Sequence, residues 1–267
     1  MPKYKALIVS LENYQNPRHN LTGLYRDVAA FTGVLSRFGI YDLEVLRDAN
    51  ATKKNIQAAL NSLVDGASIG DVRIFYFTGH GTSVPKHLAT SKGGNEAYVP
   101  YEGTTKSLLY DTWIQNFLKV RLHPDVFFYG IYDCCNSGQL YKKFDFAPEV
   151  SEVPKEIDFS LLSFEHDEGQ IPQSNQTFGI KSFVEDAELK NSVHIGAAEP
   201  DNTALVMPIN GQKRSVFTWA FEEVAQPGIS LTDFEEQVSK AQASKTKHHK
   251  PILATALENR PLSMFSH

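Results

Sequence analysis

The spacing of apolar residues changes period repeatedly along the chain. "KYKALIVSL" (3–11) reads as a buried strand, its short apolar run reaching from Ala6 to Leu11. "LTGLYRDVAAFTGVLSRFG" (21–39) follows it with Leu24, Val28, Phe31, Leu35 and Phe38 at helical spacing and Gly39 where a helix would stop. "YDLEVLRD" (41–48) predicts a second strand. Asp48 to Thr52 offers caps for a second helix, "KKNIQAALNSLVDGA", whose apolar face is Ile56, Leu60 and Leu63 or Val64. "DVRIFYFTGHG" (71–81) is a third strand, rich in aromatic and β-branched residues.

Beyond a polar, Gly-containing loop from Thr82 to Asn95, "EAYVPYEG" predicts a short hairpin arm. "YDTWIQNFLKVRL" predicts a third helix capped by Asp111 or Thr112, and "DVFFYGIYD" a fourth strand. From Gln139 to Lys190 periodicity fails and polar residues, prolines and charges dominate, as in a long loop or linker. Order returns with the strand "NSVHIGAAE", the helices "RSVFTWAFEEVAQ" and "LTDFEEQVSKAQAS", and a last strand, "HKPILATAL". Strands alternating with helices predict an α/β fold: a mostly parallel sheet with helices on both faces, in which ligands gather at the carboxyl ends of the strands.

Composition narrows the classes. With 267 residues the chain suits one large domain, and a formal charge of -5 gives no footprint for nucleic acid. The apolar run at the N-terminus is too short for a signal peptide or a membrane span, so a cytoplasmic protein with no membrane partner is expected. Both cysteines, Cys134 and Cys135, stand side by side, which excludes a disulfide framework and fits a reducing compartment. The adjacent His248 and His249 lack further ligands for zinc, and no metal or other cofactor is expected. The acidic run from Glu165 to Glu168, and Glu222 with Glu223, read as solvated faces.

Two predicted strand ends carry chemistry: "FYFTGHG" ends on His80, and "FFYGIYDCC" on the cysteine pair. A thiol attacks a carbonyl only as thiolate, so a catalytic cysteine needs a base beside it, and His80 is the candidate. The backbone N–H groups of Gly81 and of the cysteine itself are candidate donors to an oxyanion. Gly79 and Gly81, with Ser137 and Gly138, would let backbone approach a substrate. A lone cysteine after a strand is more often a small buried hydrophobe, and a lone histidine in a turn is usually solvated. The pairing of the two at strand ends favours the catalytic reading.

At these residues the chain resembles a known family. "YFTGHGT" is similar to the histidine block, and "YDCCNSGQ" to the cysteine block, of metacaspases and their bacterial relatives in the caspase-like peptidase clan. The opening strand and helix, "ATKKNIQAALNSLVDGASIGD" and "KRSVFTWAFEEV" extend the resemblance over most of the chain outside the linker. It implies a caspase-like three-layer sandwich around about six strands, as a single domain over 1–267. Within it, 1–138 would correspond to the large-subunit half, 139–190 to the linker and 191–267 to the small-subunit half.

The resemblance also implies roles. The family nucleophile lies two residues after the block's aspartate, which selects Cys135 and leaves Cys134 as a buried neighbour. His80 is then the base, with the N–H groups of Gly81 and Cys135 as the oxyanion pair. Two aspartates that bind a basic residue before the scissile bond match Asp27 and Asp133, although Arg26 stands where it could neutralise Asp27. The implied activity is that of a cysteine endopeptidase cleaving after Arg or Lys in protein or peptide substrates. Lys142, Lys143, Lys155 and Lys181 in the linker are candidate self-cleavage sites. Asn136 replaces the family's common histidine. The acidic cluster that many metacaspases use for calcium is missing after the histidine block, where only Glu96 and Glu102 occur, so calcium activation of that kind is not expected. With no fused sensor domain, activation is expected to rest on a separate activator protein or on the linker.

Three competing readings remain: a catalytically silent caspase-like interaction module, a protease of non-basic specificity, and a thiol redox or acyl-transfer protein using Cys134 and Cys135 together. The intact dyad argues against the first. Redox exchange usually uses C-x-x-C, which argues against the last.

Overall fold

The computed structural model describes residues 3–84, 95–135, 152–163, 189–199, 203–247 and 250–266. Lys142, Lys143, Lys181, Asn136 to Gly138, the run 165–168 and His248 with His249 lie outside them. A six-stranded sheet forms the centre, made of β1 (Tyr4–Ser10), β2 (Leu43–Arg47), β3 (Val72–Thr78), β7 (Phe127–Asp133), β9 (Ser192–Gly196) and β12 (Ile252–Thr255). They are the six segments that the apolar runs predict. Their order is β12-β9-β7-β3-β1-β2, all parallel except β12, which runs antiparallel to β9.

Among the described residues five α-helices cover the two faces: α1 (Leu24–Arg37), α2 (Lys53–Val64), α3 (Asp111–Arg121), α4 (Val216–Val224) and α5 (Leu231–Ala243). Strand alternation divides the core accordingly. Leu7, Val9, Phe75, Phe77, Phe128 and Tyr132 point to one face and pack with Ile56, Leu60 and Leu63 of α2 and Ile114 and Leu118 of α3. Ala6, Ile8, Ile74, Tyr76, Tyr129 and Ile131 point to the other and meet Val28, Phe31 and Leu35 of α1 and the apolar faces of α4 and α5. Phe31 stacks on Tyr76 with ring centroids 4.1 Å apart, joining α1 to the middle of the sheet. Burial of each such side chain contributes about 1.5–3 kcal/mol, which is why the apolar pattern places the helices. Cys134 belongs to the first cluster and Cys135 to the second, so the pair straddles the sheet.

Capping follows the sequence in most places. Thr52 accepts from the N–H of Asn55 at the start of α2, and Gly39 takes a left-handed φ of 76° just past α1. The third helix differs from expectation: Tyr110 is its N-cap, and Asp111 sits inside the first turn.

The structure adds strands that periodicity does not reveal. β4 (Gly81–Val84) lies largely in the expected polar loop and pairs with β5 (Asn95–Tyr98), which covers the start of the expected hairpin arm and in turn pairs with β6 (Leu109–Tyr110). A second small sheet joins β8 (Val153–Pro154), from the expected linker, to β10 (Leu205–Ile209), which hairpins into β11 (Gln212–Ser215). The turn between β10 and β11 is Asn210-Gly211, both at positive φ, as a two-residue hairpin requires. That dipeptide was the readable signal, obscured by Pro208 within β10. Among the described residues no helix is long and apolar enough to cross a membrane.

Candidate active site

β3 and β7 are neighbours in register, with Thr78 opposite Asp133, so His80 and Cys135 leave the sheet side by side at its carboxyl edge. His80 is 5% exposed and tied down at both ends. Its backbone N–H donates to the Tyr14 hydroxyl at 2.7 Å. Its ring Nε2 lies 2.9 Å from the carbonyl of His19, and because a carbonyl only accepts, Nε2 carries the proton. The other ring nitrogen, Nδ1, is buried with no hydrogen-bond partner and is therefore the basic one. Burial pushes the His80 pKa down to about 3. Neither Tyr14 nor His19 figured in the sequence reading, since both reach the site from the loop after β1.

Gly79 has a use other than substrate approach. A Cβ there would stand 2.9 Å from the Tyr14 hydroxyl, so the missing side chain makes room for the group that holds His80.

The Cys135 thiol is fully buried and engages the backbone of Ala204: Sγ accepts from its N–H at 2.9 Å and donates to its carbonyl at 3.1 Å. Burial, and next the neighbouring Glu156 carboxyl, push its pKa up. Thiol and imidazole are thus both neutral and not bonded to each other.

What fills the site is the chain itself. The carbonyl of Lys155 accepts from the N–H of Gly81 at 3.0 Å and from the N–H of Cys135 at 3.1 Å, the two donors singled out from the sequence. The N–H of Lys155 donates to the carbonyl of Ala204 at 2.9 Å, and the preceding residues pair with β10 as β8. The Lys155 side chain is wholly buried. Its ammonium reaches Asp133 Oδ2 at 2.8 Å, Thr78 Oγ1 at 2.7 Å and the Asp133 carbonyl at 3.1 Å, which occupies all three of its protons.

Asp133 also accepts from Ser215 Oγ on Oδ1 at 2.7 Å and from Thr218 Oγ1 on Oδ2 at 2.6 Å. Asp27 is wholly buried on α1, and its Oδ2 accepts from the Ser215 N–H at 3.0 Å, so one serine bridges the two carboxylates. Burial raises the Asp27 pKa to about 7, against the lowering effect of Lys155. The cation beside Asp27 is not Arg26, which is exposed, but Arg214, whose Nε lies 3.6 Å from Oδ1. Arg214 pairs in turn with Glu222 at 2.7 Å, so Glu222 is not a free surface acid. Arg214 and Ser215 lie in the stretch "KRSVFTWAFEEV" that carries the resemblance, but as the expected start of a helix rather than as groups facing Asp27; they end β11, with Ser215 capping α4. Their signal would have been the missed hairpin.

Glu156, next in the chain, is 4% exposed, and its Oε1 has no hydrogen-bond partner. Burial raises its pKa to about 8. It borders a cavity of about 130 Å³ with Arg18, His19, Asn20 and His80. Glu102 caps α2 by accepting from the N–H of Lys53. Among the described residues no group of three or more His, Cys, Asp or Glu side chains is arranged to hold a metal ion.

The profile of the metacaspase peptidase C14 domain matches residues 4–143, just over half of the chain. The chain belongs to the metacaspase family. It is 28% identical to Metacaspase-4 of Arabidopsis thaliana over 211 residues, covering 74% of this chain and 47% of that protein. Its identity to Metacaspase-9 of the same plant is 37% over 154 residues, covering 54% and 46%. The chain thus spans about half the length of the curated metacaspases it matches. Among solved structures, a Geobacter sulfurreducens protein superimposes with a TM-score of 0.72 at 14% identity, covering 99% of both chains. The Drosophila initiator caspase Dronc superimposes at 0.58 and 12% identity, covering 97% of this chain and 82% of its own, so the metacaspase domain has the caspase-like fold.

Proposed function

We propose that this metacaspase domain is a cysteine endopeptidase cleaving after lysine, and after arginine as the chemically related residue, and that its own linker is its first substrate, cut between Lys155 and Glu156. The observation that carries this reading is the position of Lys155. Its carbonyl lies between two N–H donors, one from the nucleophile's own residue, while its ammonium fills an acidic pocket.

The chemistry follows from these contacts. Cys135 Sγ leaves Ala204 and attacks the Lys155 carbonyl carbon as its proton passes to His80 Nδ1. The oxyanion stays on the N–H groups of Gly81 and Cys135, where preorganised donors in a dry site are most effective. His80 then returns the proton to the departing amine of Glu156, the carbon–nitrogen bond breaks, and a thioester to Lys155 remains. Water activated by the same nitrogen hydrolyses it and frees the thiol. The carbonyl of His19 keeps Nε2 protonated throughout, so only Nδ1 handles the moving proton.

The test is to hold purified protein at neutral pH and follow it by denaturing gel and mass spectrometry. Wild type is expected to give a fragment beginning at Glu156, while Cys135→Ala and Lys155→Met stay whole and Lys155→Arg is still cut. An intact wild-type chain that also leaves Lys and Arg peptides untouched would sink the reading and favour the silent module.

A further inference from the structure

Recognition of the linker does not stop at the scissile bond. Gly81 donates its N–H to the carbonyl of Lys155 at 3.0 Å and accepts from the N–H of Ile157 at 3.0 Å, bracketing Glu156 in a parallel bridge. The residue that supplies one oxyanion donor therefore also sets the register of the chain two places downstream.

The side chains at those two places are treated differently. Glu156 is buried with one carboxylate oxygen unpartnered, so its carboxylate is not fully hydrogen-bonded there. Ile157 is 5% exposed and belongs to the apolar cluster that includes Tyr14, Val84 and Tyr98, at the margin of the 130 Å³ cavity beside His80. A solvated linker has no need to hide an isoleucine, and this one is registered on the strand that carries the catalytic geometry.

We propose that the domain selects substrates on the primed side through an apolar residue two places after the scissile bond, held by the Gly81 carbonyl and the apolar wall that now receives Ile157. This inference rests on the reading of Lys155–Glu156 as the scissile bond. It defines the substrate class as extended segments with lysine followed, after one residue, by a medium-sized apolar side chain. An outside substrate gains this subsite once the new N-terminus at Glu156 has vacated it.

Internally quenched peptides with the sequence SEVPKEIDFS, varied only at the isoleucine, test the idea with the full chain as enzyme and Cys135→Ala as control. Replacing Ile by Leu should hold kcat/KM within about threefold. Replacing it by Ser should lower kcat/KM about 10- to 100-fold, the equivalent of losing one buried aliphatic side chain, with cleavage still after Lys. Equal rates for the Ile and Ser peptides would overturn the primed-side inference and leave lysine specificity standing. No Cys135-dependent turnover of any peptide would overturn both.

Discussion

The ammonium of Lys155 and the carboxylate of Asp133 meet at 2.8 Å with both side chains fully buried. Such a pair persists only when every remaining proton and lone pair finds a partner, since the desolvation of each ion is worth several kcal/mol. Thr78, Ser215, Thr218 and the Asp133 carbonyl supply those partners. The pocket is thus arranged around a cation, the ammonium of Lys155; on the proposed reading, that lysine holds the place of a substrate side chain until the linker is cut.

Asp27 makes the pocket pH-dependent. Burial raises its pKa to about 7, and the Lys155 ammonium is the leading influence that lowers it. Lysine binding is then coupled to loss of a proton from Asp27 and strengthens as pH rises through and above 7. In the processed enzyme, KM for a lysine peptide should fall several-fold between pH 6 and pH 8. Asp27→Asn should flatten that dependence. A profile unchanged by the substitution would show that Asp27 is not the titrating group.

Glu156 gives linker docking the opposite dependence. Docked, its pKa is about 8; released, it returns to the ordinary carboxylate range near 4.5. Docking is therefore strongest at low pH, where both states are protonated, and weakens progressively as pH rises from about 4.5 to about 8. Asp158, His19, His80, Arg18 and the Cys135 thiol surround this carboxyl and share its local field. In the Cys135→Ala chain, hydrogen exchange at Lys155 and Ile157 should accelerate relative to β3 between pH 5 and pH 8, after correction for intrinsic rates. Glu156→Gln should abolish the relative change and hold the linker in place at pH 8.

Tyr14 positions His80. Removing its hydroxyl leaves the buried His80 N–H without an acceptor, a loss of about 1–3 kcal/mol. Tyr14→Phe should lower kcat for lysine peptides about tenfold with KM nearly unchanged and should shift the acidic limb of the kcat profile. A uniform loss of folded protein with normal kcat per active site would assign Tyr14 a purely structural part.

Cys134 faces the opposite side of the sheet from Cys135, within the cluster around Tyr14, Phe77 and Tyr132. Cys134→Ala should therefore cost about 1 kcal/mol of stability in urea unfolding and leave most peptidase activity intact. Loss of activity equal to that of Cys135→Ala would contradict the separate placement of the two thiols.

Where sequence reading failed, it failed at contacts between distant segments. The hairpin of β10 and β11 carries Ser215 and Arg214 to Asp27, and its only local mark was the Asn-Gly turn. His19 reaches His80 by its backbone carbonyl, a group present in every residue and so invisible to any motif. Lys155 is one of five lysines between 139 and 190, with nothing in its immediate sequence to distinguish it. The apolar residues around it, Val153 and Ile157, were hidden by the prolines and charges of the segment.

By itself the sequence determined the six central strands, the faces of the helices and the strand ends that carry His80 and Cys135. Apolar periodicity is a local record of which side of each element meets the core. Only the tertiary structure decided which lysine occupies the acidic pocket, which carbonyl lies between the N–H groups of Gly81 and Cys135, and which cation stands beside Asp27. Those outcomes depend on burying charge with complete hydrogen bonding, a condition met jointly by residues 27, 78, 133, 155 and 215, and no single stretch of the chain contains it.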